Sequence, residues 1–214
     1  MLRAMRLLPL LLAAALLAGC GGAATSDRPE LDARLVLDGR PQALDAPIAT
    51  AVERGFDAAE GVHFEVRPGR SPAAGARALK AGRAEFAVLP AAALRGEREL
   101  IGIMALANAP AGARAPTRVL ATARAALEDD PSLARAAVRA LLRSYESALT
   151  DPASSLSDLQ SLFRGLDRRA IEAGFDAGEE RLFPPGRQLG ALPQGDPRYD
   201  AALVPAVADA NHVS

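Results

Sequence analysis

From Leu31 onward the apolar residues fall into two alternating rhythms. Short β-rich runs occupy positions 34–37, 62–67, 85–89, 101–106 and 118–122, each bounded by polar or glycine-containing stretches. Between the first two runs, 46–59 reads as a helix whose end is marked by Gly55 or Gly61. Between the second and third, Ser71 and Pro72 supply an N-cap followed by proline at the first helical position, and Gly82 closes that helix. Strands alternating with helices predict an α/β fold built on a mostly parallel sheet.

After Thr122 the pattern turns helical. Asp130 and Pro131 open the clearest helix, in which Leu133, Ala137, Val138, Leu141, Leu142, Tyr145, Ala148 and Leu149 share one stripe before Asp151 and Pro152 end it. The opposite face carries Arg135, Arg139 and Arg143, either a solvated face or a ridge for an acidic partner or lipid headgroups. Shorter helices are expected over 154–163 and 167–174, a Pro/Gly-rich loop over 184–197, and a last helix over 199–210.

The N-terminus has a different pattern. Arg3 and Arg6 precede an apolar run from Leu7 to Leu17, which is about half of the roughly 20 residues a membrane-spanning helix needs, so the segment reads as an export signal. Leu17-Ala18-Gly19-Cys20 resembles the bacterial lipobox, which implies cleavage before Cys20 and acylation of its sulfur. The organisation expected is a signal peptide over 1–19, a small, polar, flexible tether over 20–30, and one α/β domain over 31–214. On this reading the protein is extracytoplasmic and held to a membrane through a lipid anchor at Cys20. Losing the two positive charges of Arg3 and Arg6 takes the net charge from -1 to -3.

Composition narrows the chemistry. A 24% charged chain so close to neutrality lacks the basic excess that nucleic acid demands. One cysteine and two histidines leave little material for an internal disulfide or a zinc site, and no cofactor is expected. No nucleophile-histidine-acid order and no phosphate-binding glycine loop is present, so the chain is not expected to be an enzyme. His63, inside a predicted strand, reads as packed, and Phe56, Phe64 and Phe86 read as core.

Two stretches carry a family likeness. Leu35-Val36-Leu37-Asp38, the segment ATAVERGFDAAEGVHFEV at 49–66, Gly69-Arg70-Ser71 and ALKAGRAEFAV at 78–88 resemble the opening of periplasmic substrate-binding proteins. The nearest group serves ABC importers of sulfonates, nitrate, taurine and the thiamine pyrimidine precursor. Positions 117–152 resemble that family's return segment. The resemblance implies a type II periplasmic-binding-protein fold, with strand order 2-1-3-5-4 and the fifth strand antiparallel. It also implies two lobes, yet only a few residues between about 108 and 116 stand where the family inserts the second, so a one-lobe version is expected, with a helical C-terminal part.

In open α/β sheets ligands sit outside the carboxyl ends of the strands. Three loops qualify, and the candidate ligand-binding residues on them are Asp38, Arg40, Gln42, Gly69, Arg70, Ser71, Pro90 and Ala91. Arg40 and Arg70 are placed to clamp an oxyanion, Ser71 to cap its helix or bind ligand, and Asp38 and Asp45 to favour a cation instead. Gly39 stands where the family often offers an aromatic residue, which argues against a pyrimidine. The function expected is a lipid-anchored solute-binding component that hands a small anionic or polar organic solute to ABC permease subunits. The competing expectation is a non-transport lipoprotein that binds protein as an adaptor or sensor.

Overall fold

The computed structural model describes residues 31–109 and 115–205. The export signal, Cys20 and the tether lie outside the described residues, as do positions 206–210 of the expected last helix. The chain builds β1 (Leu31–Val36), α1 (Ala46–Glu53), α2 (Phe56–Ala59), β2 (Val62–Arg67), α3 (Pro72–Lys80), β3 (Phe86–Pro90), β4 (Leu100–Asn108) and β5 (Pro116–Ala123). Helices α4 (Arg124–Asp129), α5 (Ser132–Thr150), α6 (Pro152–Leu162), α7 (Arg168–Asp176) and α8 (Glu179–Leu182) follow.

One five-stranded sheet results, in the order β2-β1-β3-β5-β4. β1 pairs in parallel with both β2 and β3, while β5 runs antiparallel to its neighbours β3 and β4. The carboxyl ends of β1 to β4 therefore share one edge, and β5 enters from that same edge. The chain passes from Asn108 to Pro116, which are partners in the ladder, through positions 109–115.

The expected helix over 46–59 is two helices. Gly55 takes a left-handed φ of 68° and separates α1 from α2, and Gly61, at φ 77°, turns the chain into β2. Ser71 caps α3 as its sequence implied, its Oγ accepting from the Ala74 amide at 3.3 Å. The long α5 buries Ala134, Ala137, Val138, Leu141, Tyr145 and Ala148, packing chiefly on α1 and α2 and reaching β2 and β4 of the sheet. Leu149, expected on that stripe, is instead 48% exposed.

Apolar side chains cover both faces of the sheet. One face packs Leu35, Phe64, Phe86 and Ile103 under α1, α5, α6 and α7; the other packs Leu89, Leu94, Leu100 and Val119 with Leu79 of α3. The two sheet edges differ. On β2, His63, Glu65 and Arg67 point to solvent, so His63 is not packed as expected but stands on the charged outer side of an edge strand, where charge discourages pairing with other chains.

On β4, every residue is buried although the strand is terminal. A C-terminal strap explains it: Gly102 N donates to Arg198 O and Asp200 N to Gly102 O, both at 2.9 Å, and Ala105 N donates to Gly190 O at 2.9 Å. Over 199–205 the structure corrects the expected helix. Tyr199 forms a parallel bridge with Gly102, and among the described residues a short 3-10 turn, Ala201–Leu203, is all that follows. The backbone groups of β4 need partners, and this demand outweighs the local helical pattern.

The arginine ridge of α5 is exposed, and two of its members are paired within the chain. Arg139 Nε lies 2.6 Å and Arg143 Nη1 3.0 Å from the carboxylate of Glu60, which ties α5 to the turn before β2.

Candidate functional site

The carboxyl edge is assembled from the β1–α1 loop, the β2–α3 loop, the end of β3, and the β4 and β5 termini. Gly69 stitches the first two loops together. Its amide donates to Gly39 O at 3.1 Å, and a Cβ at this position would stand 1.9 Å from the carbonyl oxygen of Leu37, so only glycine fits.

Under these loops lies a buried ion triad. Arg118, at the start of β5, donates from Nε to Asp38 Oδ2 at 2.9 Å and from Nη2 to Asp38 Oδ1 at 2.7 Å. The same Nη2 donates to Asp45 Oδ1 at 2.7 Å. Asp45 also accepts the Gln42 amide on Oδ2 at 2.9 Å, which closes the 3-10 turn Ala43–Asp45. Arg118 is 6% exposed and Asp45 1%. Burial pushes the Asp45 carboxyl up against the pull of Arg118, while the two aspartates, against the same burial, hold the Arg118 guanidinium above its ordinary value. The cation that Asp38 and Asp45 favour is thus an arginine of the chain itself.

Two buried atoms at this edge, Arg118 Nη1 and Asn108 Oδ1, have no hydrogen-bond partner among the described residues. Tyr145 donates its hydroxyl proton to Leu106 O at 2.8 Å, and burial raises its phenol.

Beside the triad, a cavity of about 410 Å³ opens between the β1–α1 loop and the segment that carries α7 and α8. Gln42, Leu44, Ile171, Gly174, Gly178 and Arg181 are among its walls. Close packing sets its width: a Cβ on Gly178 would meet Leu44 Cδ2 at 2.5 Å, and one on Gly174 would meet the Ala43 Cβ at 3.2 Å. Arg181 reaches it from α8, its Nη2 donating to Thr117 Oγ1 at 3.5 Å and its carbonyl accepting from Asn108 Nδ2 at 3.5 Å.

The structure gathers only some of the residues that the sequence singles out. Gln42 lines the cavity, and Asp38 is committed to Arg118. Arg40 and Arg70 are exposed, and no described residue pairs with either. Ser71 caps α3. Pro90 is the ladder partner of Arg118, and Ala91 is buried in the second core. Arg118 and Arg181 were missed as site residues. A charged residue inside the apolar run 116–123 was the available signal for Arg118; Arg181 had none, because its meaning depends on where α8 docks. Among the described residues no group of three His, Cys, Asp or Glu side chains is placed to hold a metal.

No family model matches the chain, and no curated protein matches it. Solved structures do. A Candida albicans protein with the generic periplasmic binding protein structural fold matches with a TM-score of 0.53 at 9% identity, over 70% of this chain and 81% of that one. A protein from Bordetella bronchiseptica RB50 matches with a TM-score of 0.56 at 12% identity, over 78% and 86%. The alkanesulfonate-binding protein of Xanthomonas axonopodis pv. citri is a looser likeness, TM-score 0.48 at 10% identity over 68% and 83%, and adds nothing to the fold assignment. With its sheet order 2-1-3-5-4, the chain has the periplasmic-binding-protein fold.

Proposed function

We propose that this protein is a solute-binding component of an ABC importer, working outside the cytoplasm on a small anionic or polar organic solute. Its anchor is the acylated Cys20, and it works as a single lobe. The observation that carries the reading is the cavity at the carboxyl edge of the sheet, the place where this class of sheet binds ligands. Its volume falls in the range of small-molecule sites. Among the described residues no helix is long and apolar enough to cross a membrane, which is compatible with attachment through a lipid.

Circular dichroism melts of the full chain in mild detergent test the reading, against sulfonates, nitrate, carboxylates, amines and pyrimidines. A ligand at 100 times its dissociation constant adds about 2.7 kcal/mol, which moves the midpoint by several degrees in a domain of this size. A saturable shift supports solute binding and gives the chemical class. A cooperative melt that no compound moves overturns it and leaves the second reading, a protein-binding lipoprotein. That alternative draws on the exposed Arg40 and Arg70, which stand on open loops without an ionic partner among the described residues.

A further inference from the structure

The cavity is walled on one side by the β1–α1 loop and on the other by residues 166–181, which follow the last strand of the sheet. Resting on the solute-binding reading, we infer that this C-terminal segment supplies the second wall of the ligand site, and that Arg181 anchors a small organic monoanion, a carboxylate or sulfonate with a short aliphatic body.

The charge comes from Arg181. It is half-buried, and no carboxylate lies within 4 Å of it among the described residues. Among the described residues its single side-chain hydrogen bond, to Thr117, is long and leaves Nε and Nη1 uncommitted. A guanidinium is a permanent cation whose donor fork matches an oxyanion in two parallel bonds. Loose contacts to Asn108 and Thr117 tether it at the mouth of the β4–β5 connection.

The remaining walls set the body of the ligand. Pro41, Leu44, Leu166, Ala170 and Ile171 present aliphatic surface, and no aromatic side chain is among the lining residues. A planar ring gains no stacking partner there, whereas an aliphatic chain gains burial at about 25 cal/mol per Å². The one carboxylate on the cavity wall, Asp167, has its Oδ1 accepting the Ala170 amide at 2.7 Å, where it caps α7. That bond commits one of its two oxygens to the helix.

Calorimetric titration of the full chain in mild detergent tests the inference with pentanoate, butane-1-sulfonate, pentan-1-amine and 5-aminopentanoate. The two anions should bind saturably and the amine should not. Arg181→Gln should weaken the anions by about tenfold to a hundredfold, the worth of charge-assisted bonds to one guanidinium. Its unliganded melting midpoint should stay that of the natural chain. Ala170→Phe, which fills the cavity from α7, should abolish binding, and Arg83→Gln on a distant loop should leave it unchanged. If anions bind the Arg181→Gln and natural chains alike, the site lies elsewhere and this inference fails while solute binding stands. Tighter binding of the amine or of 5-aminopentanoate overturns the ligand class in the same way. If neither these probes nor the wider compound set binds, the solute-binding reading itself falls.

Discussion

Two arginines stand at the same edge of one sheet and do opposite things. Arg118 is enclosed, with three charge-assisted hydrogen bonds to Asp38 and Asp45. Arg181 sits on the wall of an open cavity with one weak contact to a threonine. A cation that the fold has already neutralised holds loops in place, and a cation left without a counter-charge is available to a ligand. Charge at the carboxyl edge of the sheet is therefore no guide to binding until its intramolecular partners are counted.

The contrast breaks most severely at Arg118. Arg118→Met leaves two aspartates at the edge without their counter-charge, Asp45 deeply buried, and should cost about 3–5 kcal/mol in urea unfolding, where the Arg181→Gln variant costs nearly nothing. Equal losses from the two substitutions would end the distinction between a structural and a ligand-facing arginine. Gly69→Ala comes next. Its Cβ has no room beneath the Leu37 carbonyl, and forcing the two loops apart should lower stability by about 1–3 kcal/mol, read as a shifted denaturation midpoint.

Ser71 lies between the two arginines in character, a loop residue open to either use. Removing its cap in Ser71→Ala should cost about 1 kcal/mol and leave calorimetric affinities for the anions untouched; a changed affinity would put Ser71 in the site.

The smallest effect is electrostatic and far from the edge. Burial opposes the charge on Glu85, but hydrogen bonds from the side chain and amide of Arg34 outweigh it, so the carboxyl falls below its ordinary 4.5. A depressed carboxyl stabilises the fold above its unfolded value, and that contribution fades as pH drops through the folded one. Melting midpoints below pH 4.5 should therefore decline less steeply in Glu85→Gln than in the natural chain, modestly so because the Arg34–Glu85 pair is partly open to solvent.

Much of the fold was legible because its signals are local. Ser71, Pro72 and Gly82 bracket α3, and the stripe from Ala137 to Ala148 marks the buried side of α5. The sheet order followed from the family likeness of 35–88 and 117–152, with no contribution from periodicity. What escaped was non-local. The stretch around Tyr199 has a helical pattern, yet the open edge of β4 draws it into a strap. His63 alternates with buried Val62 and Phe64 but belongs to the outward side of an edge strand.

The site divides in the same way. The alternation of strand and helix patterns was enough to identify an α/β chain with candidate loops at the carboxyl edge, but that Gly69 lets two of those loops touch was visible only in the structure. Only the tertiary structure paired Asp38 with an arginine 80 positions away and seated α7 against the β1–α1 loop and α8 against β4. The reason is physical: a side chain's intrinsic chemistry is written in its identity, whereas its charge state, its partners and the cavity it faces come from groups distant in the chain that the packed core brings within a few ångströms.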